Sequence, residues 1–466
     1  GLFGAWIEVL DRFGTMSLSE VLEPAIEYAE RGHPIEASVV RSIQGQIDLF
    51  RKFPSSTRMF LRDGEAPVPN SNFRFPDLAK TFTKVADTET RALMQGKTRS
   101  EALTASFDRF YKGDLAQEMV RFYKENGGLF TLDDLGAYEP IWAKPVHTNY
   151  RGYDIYSSPS TSRGGLEVVL QLNLVERFDV AAMGHNTPEL LHLISEAVKL
   201  AKADIYAVVA DPKKHDMPTD WLVSKERARN RSSRISLDAV MAYPGPAEQN
   251  GSPGEQAMVF PEAIAGWERS QPGSTDSFSI VDRFGNAVAS TPTHGSGFGT
   301  GVVVGTTGLT FNNGTRIGST SPYPEHVNYA RGGQIPILNN SPIIVMKDGE
   351  VILAIGTPGG ETIGQTQFQV LMNILDFGMP IQEALEAARI SLVAEPNFYR
   401  SGSAITMRVE NRIDKAVTKQ LEELGHTVEL VDGWALGSMQ GILKDLVTKT
   451  WLAGADPRRV AYAVGY

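Results

Sequence analysis

A threonine hydroxyl attacks carbonyl groups only when a base takes its proton. Thr275 stands directly after a Pro-Gly-Ser break, where an alternating run begins. A cut between Ser274 and Thr275 would give that residue a free α-amine. Such an amine has a pKa of about 8, so a useful fraction is uncharged near neutral pH. One residue would then hold both nucleophile and base, and no histidine would be required. Strands also favour threonine for its β-branched shape, so the position alone fits an ordinary strand residue too. A second chemical candidate is Thr357-Pro358-Gly359-Gly360. Two glycines at a helix start leave backbone N–H groups pointing outward, as an oxyanion hole needs.

The elements that must position these residues are legible around them. Ser277–Asp282 alternates, with Phe278 and Ile280 on one face. Arg283-Phe284-Gly285-Asn286 is turn chemistry, and Ala287–Thr291 reads as a returning strand, which makes a hairpin that Thr275 opens. Val351–Gly356 reads as a buried strand, the Thr-Pro-Gly-Gly turn follows, and Thr362–Phe377 reads as a helix. Residues 243–274 change to a Pro/Gly-rich, weakly hydrophobic stretch, the expected linker to the cut site.

Upstream, Ser17 and Glu20 form a capping-box pattern ahead of a helix that Gly32 ends. Residues 36–126 read as mostly helical, and Val146–Ser157 as two strands around Arg151-Gly152. Helices are expected at Leu166–Arg177, at His192–Asp204 with an amphipathic pattern, and at Ile381–Ala388. Ser160, Ser162 and Arg163 lack a G-x-S-x-G setting and read as turn and capping residues. The glycines at 295, 297, 299 and 301 lead into a Val-rich strand rather than a helix, which excludes a dinucleotide fingerprint; a flexible loop at the site mouth is expected.

The motifs resemble those of γ-glutamyltransferases (glutathione hydrolases), N-terminal-nucleophile hydrolases that cut themselves to free a threonine. The match lies in Thr275-x-x-Phe278-Ser279-Ile280-Val281-Asp282, Gly285–Val288 and Thr291-Pro292-Thr293. It continues through Gly127–Pro140, Asn312-Asn313, Gly332–Pro342, Thr357–Gly360 and the tail Gly454–Tyr466. The resemblance implies an α+β fold, the four-layer α/β/β/α sandwich of the Ntn-hydrolase type. Residues 1–274 would be the large-subunit equivalent and 275–466 the small catalytic one, interleaved in one structural domain as a heterodimer after self-cleavage. It implies Thr275 as nucleophile and base, Thr293 as a hydroxyl contacting it, and Gly359 and Gly360 as oxyanion donors. Asn313, Arg316, Asn339 and Asn340 would line the substrate site. The family's opening part, with central strands and an arginine for the substrate carboxylate, normally precedes the helix near Gly14-Thr15. The reading expects this chain to begin within the fold.

The departures are equally specific. Asp276 places a carboxylate beside the proposed amine and would raise its pKa. Where the family has Gln and Asp after Asn-Asn, Gly314, Thr315, Arg316 and Ile317 stand. An arginine there attracts a carboxylate and repels an ammonium. The chemistry therefore transfers further than the γ-glutamyl substrate does. A cephalosporin-acylase-like or oxamate-hydrolase-like amidase, and a scaffold that only binds, are the competing readings. The substrate would be a small-molecule amide such as glutathione, with water or an amine as acyl acceptor.

Composition narrows the classes. The chain has 466 residues, 42% hydrophobic, and carries a net charge of −10, against the basic balance of nucleic-acid binders. With no cysteine, thiolate metal sites and cysteine nucleophiles are excluded. No apolar run reaches the length of a membrane span. None of the eight histidines stands at metal-ligand spacing with an acid, so neither metal nor other cofactor is expected.

Overall fold

The computed structural model describes residues 1–246, 273–316 and 318–466. Most of the expected linker therefore lies outside the described residues. The chain divides into two compact units, Gly1–Ala143 with Gly297–Asn313, and Lys144–Ser296 with Gly314–Tyr466. Each unit draws segments from both sides of residue 275.

The first unit is helical. Its second helix, Leu18–Arg31, starts as the sequence dictates: Ser17 Oγ accepts from the Glu20 N–H, and Glu20 Oε2 accepts from the Ser17 N–H at 2.7 Å. Apolar stripes of the helices Leu2–Phe13, Pro76–Met94, Arg99–Tyr111 and Asp114–Glu125 meet in a core that includes Ile7, Val85, Leu103, Leu115 and Met119. The Gly-rich segment inserts here. Its valines do not form the expected strand; among the described residues, Val303 pairs only in an isolated bridge with Thr310. Side-chain hydroxyls replace strand neighbours: Ser55 Oγ donates to the Val303 carbonyl at 2.6 Å, Ser56 Oγ to that of Gly301 at 2.9 Å, and Thr81 Oγ1 to that of Thr307 at 2.7 Å.

The second unit is built on a six-stranded antiparallel sheet. Its order is Trp451–Ala455, Gln440–Lys444, Glu350–Gly356, Ile343–Lys347, Tyr153–Ser157, Val146–Tyr150. The Phe278–Val281/Ala287–Ser290 hairpin packs against its central strands as a second, smaller sheet. The hairpin turns Phe278, Ile280 and Val288 outward, so the apolar face read from the sequence is the exposed one. Helices Gly164–Val175 and Ile363–Leu375 pack on each other, the first also on the outer strands of the large sheet. A separate three-stranded sheet, Ile390–Glu395, Ala404–Glu410 and Thr427–Val431, closes the unit.

The expected amphipathic helix spans Pro188–Val208 and is buried on every side from Leu190 to Tyr206. Its polar residues are tolerated because each charge is matched inside. Lys199 meets Glu196 at 2.7 Å, Lys202 meets Glu167 at 3.0 Å, and Asp204 meets Arg231 at 3.0 Å. The tail is likewise structural. Asp456 binds Arg389 at 2.6 Å and Arg458 at 3.1 Å, and Arg458 binds Glu410 at 2.6 Å, with all four side chains covered.

Candidate active site

Thr275 does not open the hairpin. It lies in a separate two-residue strand, Ser274–Thr275, paired antiparallel with Thr293–Gly295. The register shifts between Ser274 and Thr275, and that irregularity puts Thr275 opposite Thr293. The pairing produces a directed chain of hydroxyls. Thr293 Oγ1 donates to the Ser274 carbonyl at 2.7 Å and accepts from the Gly295 N–H at 2.9 Å. Its single proton is committed to Ser274, so Thr275 is the donor in the 3.0 Å contact between the two threonine hydroxyls. Thr275 itself is buried.

The Thr357–Gly360 turn lies beside this chain. Gly359 and Gly360 take φ of 144° and 62°, open to glycine at little cost, before a short 3-10 turn leads into the Ile363–Leu375 helix. Gly273 packs directly on Gly360. A Cβ placed on Gly273 would stand 2.6 Å from Arg316 Nη2, 2.7 Å from Gly360 Cα and 3.2 Å from Gly360 N. The residue before Ser274 is thus a glycine because nothing larger fits.

Arg316 is buried, and its Nε donates to the Gly295 carbonyl at 3.3 Å. Burial pushes its guanidinium below the usual arginine range, and the Glu361 charge works against that shift. Glu361 accepts from the Tyr206 hydroxyl at 2.7 Å. Arg316, Asn339 and Asn340 belong to the unit that carries Thr275, whereas Asn313 falls in the first unit. Asn340 Nδ2 donates to the Thr291 carbonyl, two residues from Thr293. Asn339 Oδ1 accepts from Arg163 Nε at 3.2 Å. Arg163 was expected only to cap a turn. It is wholly buried and also binds Tyr399 and the Gly318 carbonyl, so it ties the loop before one helix to the Asn339 segment.

Two further departures from the sequence reading concern charge. Asp276, read from the sequence only as a neighbour of the proposed amine, also faces the Arg459 charge. A histidine-acid cluster also exists, contrary to expectation: ligand atoms of His192, Glu196 and His426 lie within 4.8 Å of one another. Spacing shows only its His192/Glu196 pair, four residues apart on one helix; His426 arrives from more than two hundred residues away. Hydrogen bonds already account for these atoms. His192 Nε2–H donates to the Ser236 carbonyl at 2.8 Å, so Nδ1 accepts from His426 Nε2–H at 2.8 Å. Glu196 holds Lys199 and accepts the Met241 N–H at 3.2 Å. The set needs no ion to be satisfied.

The γ-glutamyltranspeptidase family model matches residues 1–466. The chain belongs to this family. It is 32% identical to the glutathione hydrolase-like YwrD proenzyme of Bacillus subtilis (strain 168), over all of this chain and 80% of that protein. It is 30% identical to the glutathione hydrolase proenzyme of Escherichia coli (strain K12), over 97% of this chain and 72% of the relative. Among solved structures it resembles cephalosporin acylase from Bacillus halodurans, with TM-score 0.82 and 26% identity over all of this chain and 78% of that one. The fold is therefore the α+β Ntn-hydrolase sandwich the motifs implied, and the family is one of hydrolases and transferases. Among the described residues no helix is long and apolar enough to cross a membrane.

Proposed function

We propose that this protein is a self-cleaving amide hydrolase and acyltransferase whose nucleophile is Thr275. The observation that carries this reading is the hydroxyl chain from Thr275 through Thr293 to the Ser274 carbonyl. Attack by Thr275 Oγ on that carbonyl makes an alkoxide and releases a proton. The chain supplies a route for it: the Thr275 proton moves to Thr293 Oγ1 as the Thr293 proton moves to the alkoxide. Collapse re-forms the carbonyl, passes the hydroxyl proton of the intermediate to the departing Thr275 nitrogen, breaks the Ser274–Thr275 C–N bond and leaves an ester on Thr275 Oγ, with the amine now free. Water hydrolyses the ester and ends the first fragment at Ser274.

The freed amine then serves as base for an external amide, and the N–H groups of Gly359 and Gly360 are assigned to the substrate's oxyanion. In the uncut chain the Ser274 carbonyl takes the Thr293 hydroxyl instead, while Gly360 faces Gly273. The family supports a γ-glutamyl amide such as glutathione as substrate, with Asn339 and Asn340 in the acyl pocket. A related acylase is the second reading, favoured by Arg316 beside Gly273. Water or an amine acceptor would release the acyl group, and the cut halves would remain as large and small subunits.

Mass spectrometry after mixing the cleaved chain with an acyl p-nitroanilide tests the proposal. The fragment beginning at Thr275 should gain the mass of the acyl group and lose it to hydroxylamine. Turnover of the anilide with no such adduct on the burst timescale, or an adduct elsewhere, would overturn it.

A further inference from the structure

Resting on that reading, we infer that Thr362 is a positioning residue for acyl transfer: its hydroxyl holds the Gly359 carbonyl and so aims the Gly360 N–H at the substrate's oxyanion. A peptide group is planar and trans, so its C=O and N–H point in opposite directions within one plane. The Gly359 carbonyl and the Gly360 N–H belong to one such group. Fixing the carbonyl therefore fixes the donor. Thr362 Oγ1 donates to that carbonyl at 2.9 Å, and the Thr362 N–H reaches it at 3.3 Å.

The group needs such a hold. Gly359 and Gly360 take φ of 144° and 62°, and with no side chain on either the peptide between them turns at little cost. The hydroxyl lies against Gly359 itself: a Cβ there would stand 2.6 Å from Thr362 Oγ1. Threonine is stiff at χ1, which keeps its hydroxyl on this carbonyl. Among the described residues that hydroxyl has no second acceptor. One peptide earlier, Thr357 Oγ1 holds the Pro358 carbonyl at 2.8 Å and so the Gly359 N–H, but it also donates to the Ser438 carbonyl. Thr362 is the hold with a single task.

Thr362 is anchored on both sides. Before it, Glu361 takes the Tyr206 hydroxyl on its carboxylate at 2.7 Å and Lys202 Nζ on its backbone carbonyl at 3.0 Å. Lys202 is paired with Glu167 at 3.0 Å, so its charge is answered there and its bond to Glu361 sets geometry. After Thr362, Gly364 packs on that same Glu167 side chain; a Cβ on Gly364 would stand 2.5 Å from Glu167 Cδ. Lys202, Tyr206 and Glu167 are all buried. The turn thus rests on the helices Pro188–Val208 and Gly164–Val175, and Thr362 carries that rigidity to the donor. The donor matters once an external amide is attacked, because negative charge grows on its oxygen in the transition state. The first cut does not call on it: the Ser274 carbonyl takes the Thr293 hydroxyl. The two reactions therefore separate when Thr362 loses its hydroxyl.

The test uses the full chain and measures two rates. One is the appearance of the fragment that begins at Thr275. The other is turnover by the cleaved protein of γ-glutamyl- or glutaryl-p-nitroanilide, whichever acylates Thr275. Thr362→Val keeps the shape and removes the hydroxyl. It should cleave itself at the unaltered rate and then show a kcat about 10–100-fold lower, less than the roughly 10²–10³-fold loss of deleting an oxyanion donor outright. KM should stay within about twofold, because the interaction lost is made in the transition state. Thr362→Ser, with the hydroxyl returned, should recover most of kcat. If Thr362→Val does not fold, Thr362→Ala carries the same expectation. An unaltered kcat, a matching loss in both rates, or no recovery in Thr362→Ser overturns this inference and leaves the nucleophile in place. Turnover without acylation of Thr275 overturns the functional reading beneath it as well.

Discussion

Two buried polar clusters in the same unit differ in one respect. Around Asp456, five ionised groups close on one another: Arg389, Arg412, Arg458, Glu410 and Asp456 itself, with Asp456 Oδ2 also accepting the Met439 N–H at 3.1 Å. Each guanidinium meets a carboxylate, and the ion pairs hold distant segments together. Around Thr275 the groups are neutral hydroxyls, yet their hydrogen bonds run one way, from Thr275 to Thr293 to the Ser274 carbonyl. A closed network holds a fold; an open, directed one can move a proton. The largest perturbation of the directed cluster is Thr275→Ala. It should abolish self-cleavage and all acyl transfer while the chain folds normally, which gel analysis and circular dichroism would show together. Self-cleavage in that variant would remove the basis of the contrast.

The closed cluster should respond in stability instead. Asp456→Asn leaves Arg389 and Arg458 buried with half their negative charge gone, and breaking such a set costs about 3–5 kcal/mol. Urea denaturation of the cleaved protein measures it. A loss below about 1 kcal/mol would mean the network is not what holds the tail.

How far each cluster could be read from the sequence follows the same division. Turn chemistry and strand alternation act over a few residues and mark Thr275, Gly359 and Gly360 as candidates, while Thr293 enters only through the family resemblance. The capping box at Ser17 and the strand pair around Arg151-Gly152 are local too, and both form where they were read. What escapes the pattern is set by distance. The register shift that places Thr275 opposite Thr293 has no local signal, and neither does the packing of Gly273 against Arg316. The Pro188–Val208 helix looks half-exposed because its partners Glu167, Arg227 and Arg231 come from other elements. The Val303 region looks like a strand because valine favours one, but the hydroxyls of Ser55 and Ser56 satisfy its neighbourhood instead.

A milder cut into the directed cluster sharpens the comparison. Thr293→Val keeps the shape and removes the hydroxyl, so self-cleavage should slow by about 10²–10³-fold, the usual effect of losing one preorganised donor. The rate of fragment appearance measures it, and Thr293→Ser should recover most of the rate. An unaltered rate in Thr293→Val would show that the proton travels otherwise.

The smallest expected effect is one of pH on the closed, structural regions. Burial pushes His426 down to about 3 and His326 down to about 4, from an ordinary value of 6.5. The unfolded chain takes up these protons at mildly acid pH, whereas the fold refuses them. Stability should therefore hold above pH 6.5 and fall as the pH drops toward 4, by at most about 1.4 kcal/mol per pH unit per histidine. Urea midpoints between pH 8 and pH 5 give the slope. A midpoint that rises on acidification would contradict the buried, neutral state of both rings.

The central claim is that Thr275 becomes a chain end and so acquires its own base. N-terminal sequencing of the lighter species in active material tests it most directly. The account predicts a run of Thr-Asp-Ser-Phe, which begins at Thr275. An active preparation whose only sequence starts at Gly1, or whose second sequence starts at another residue, would contradict it.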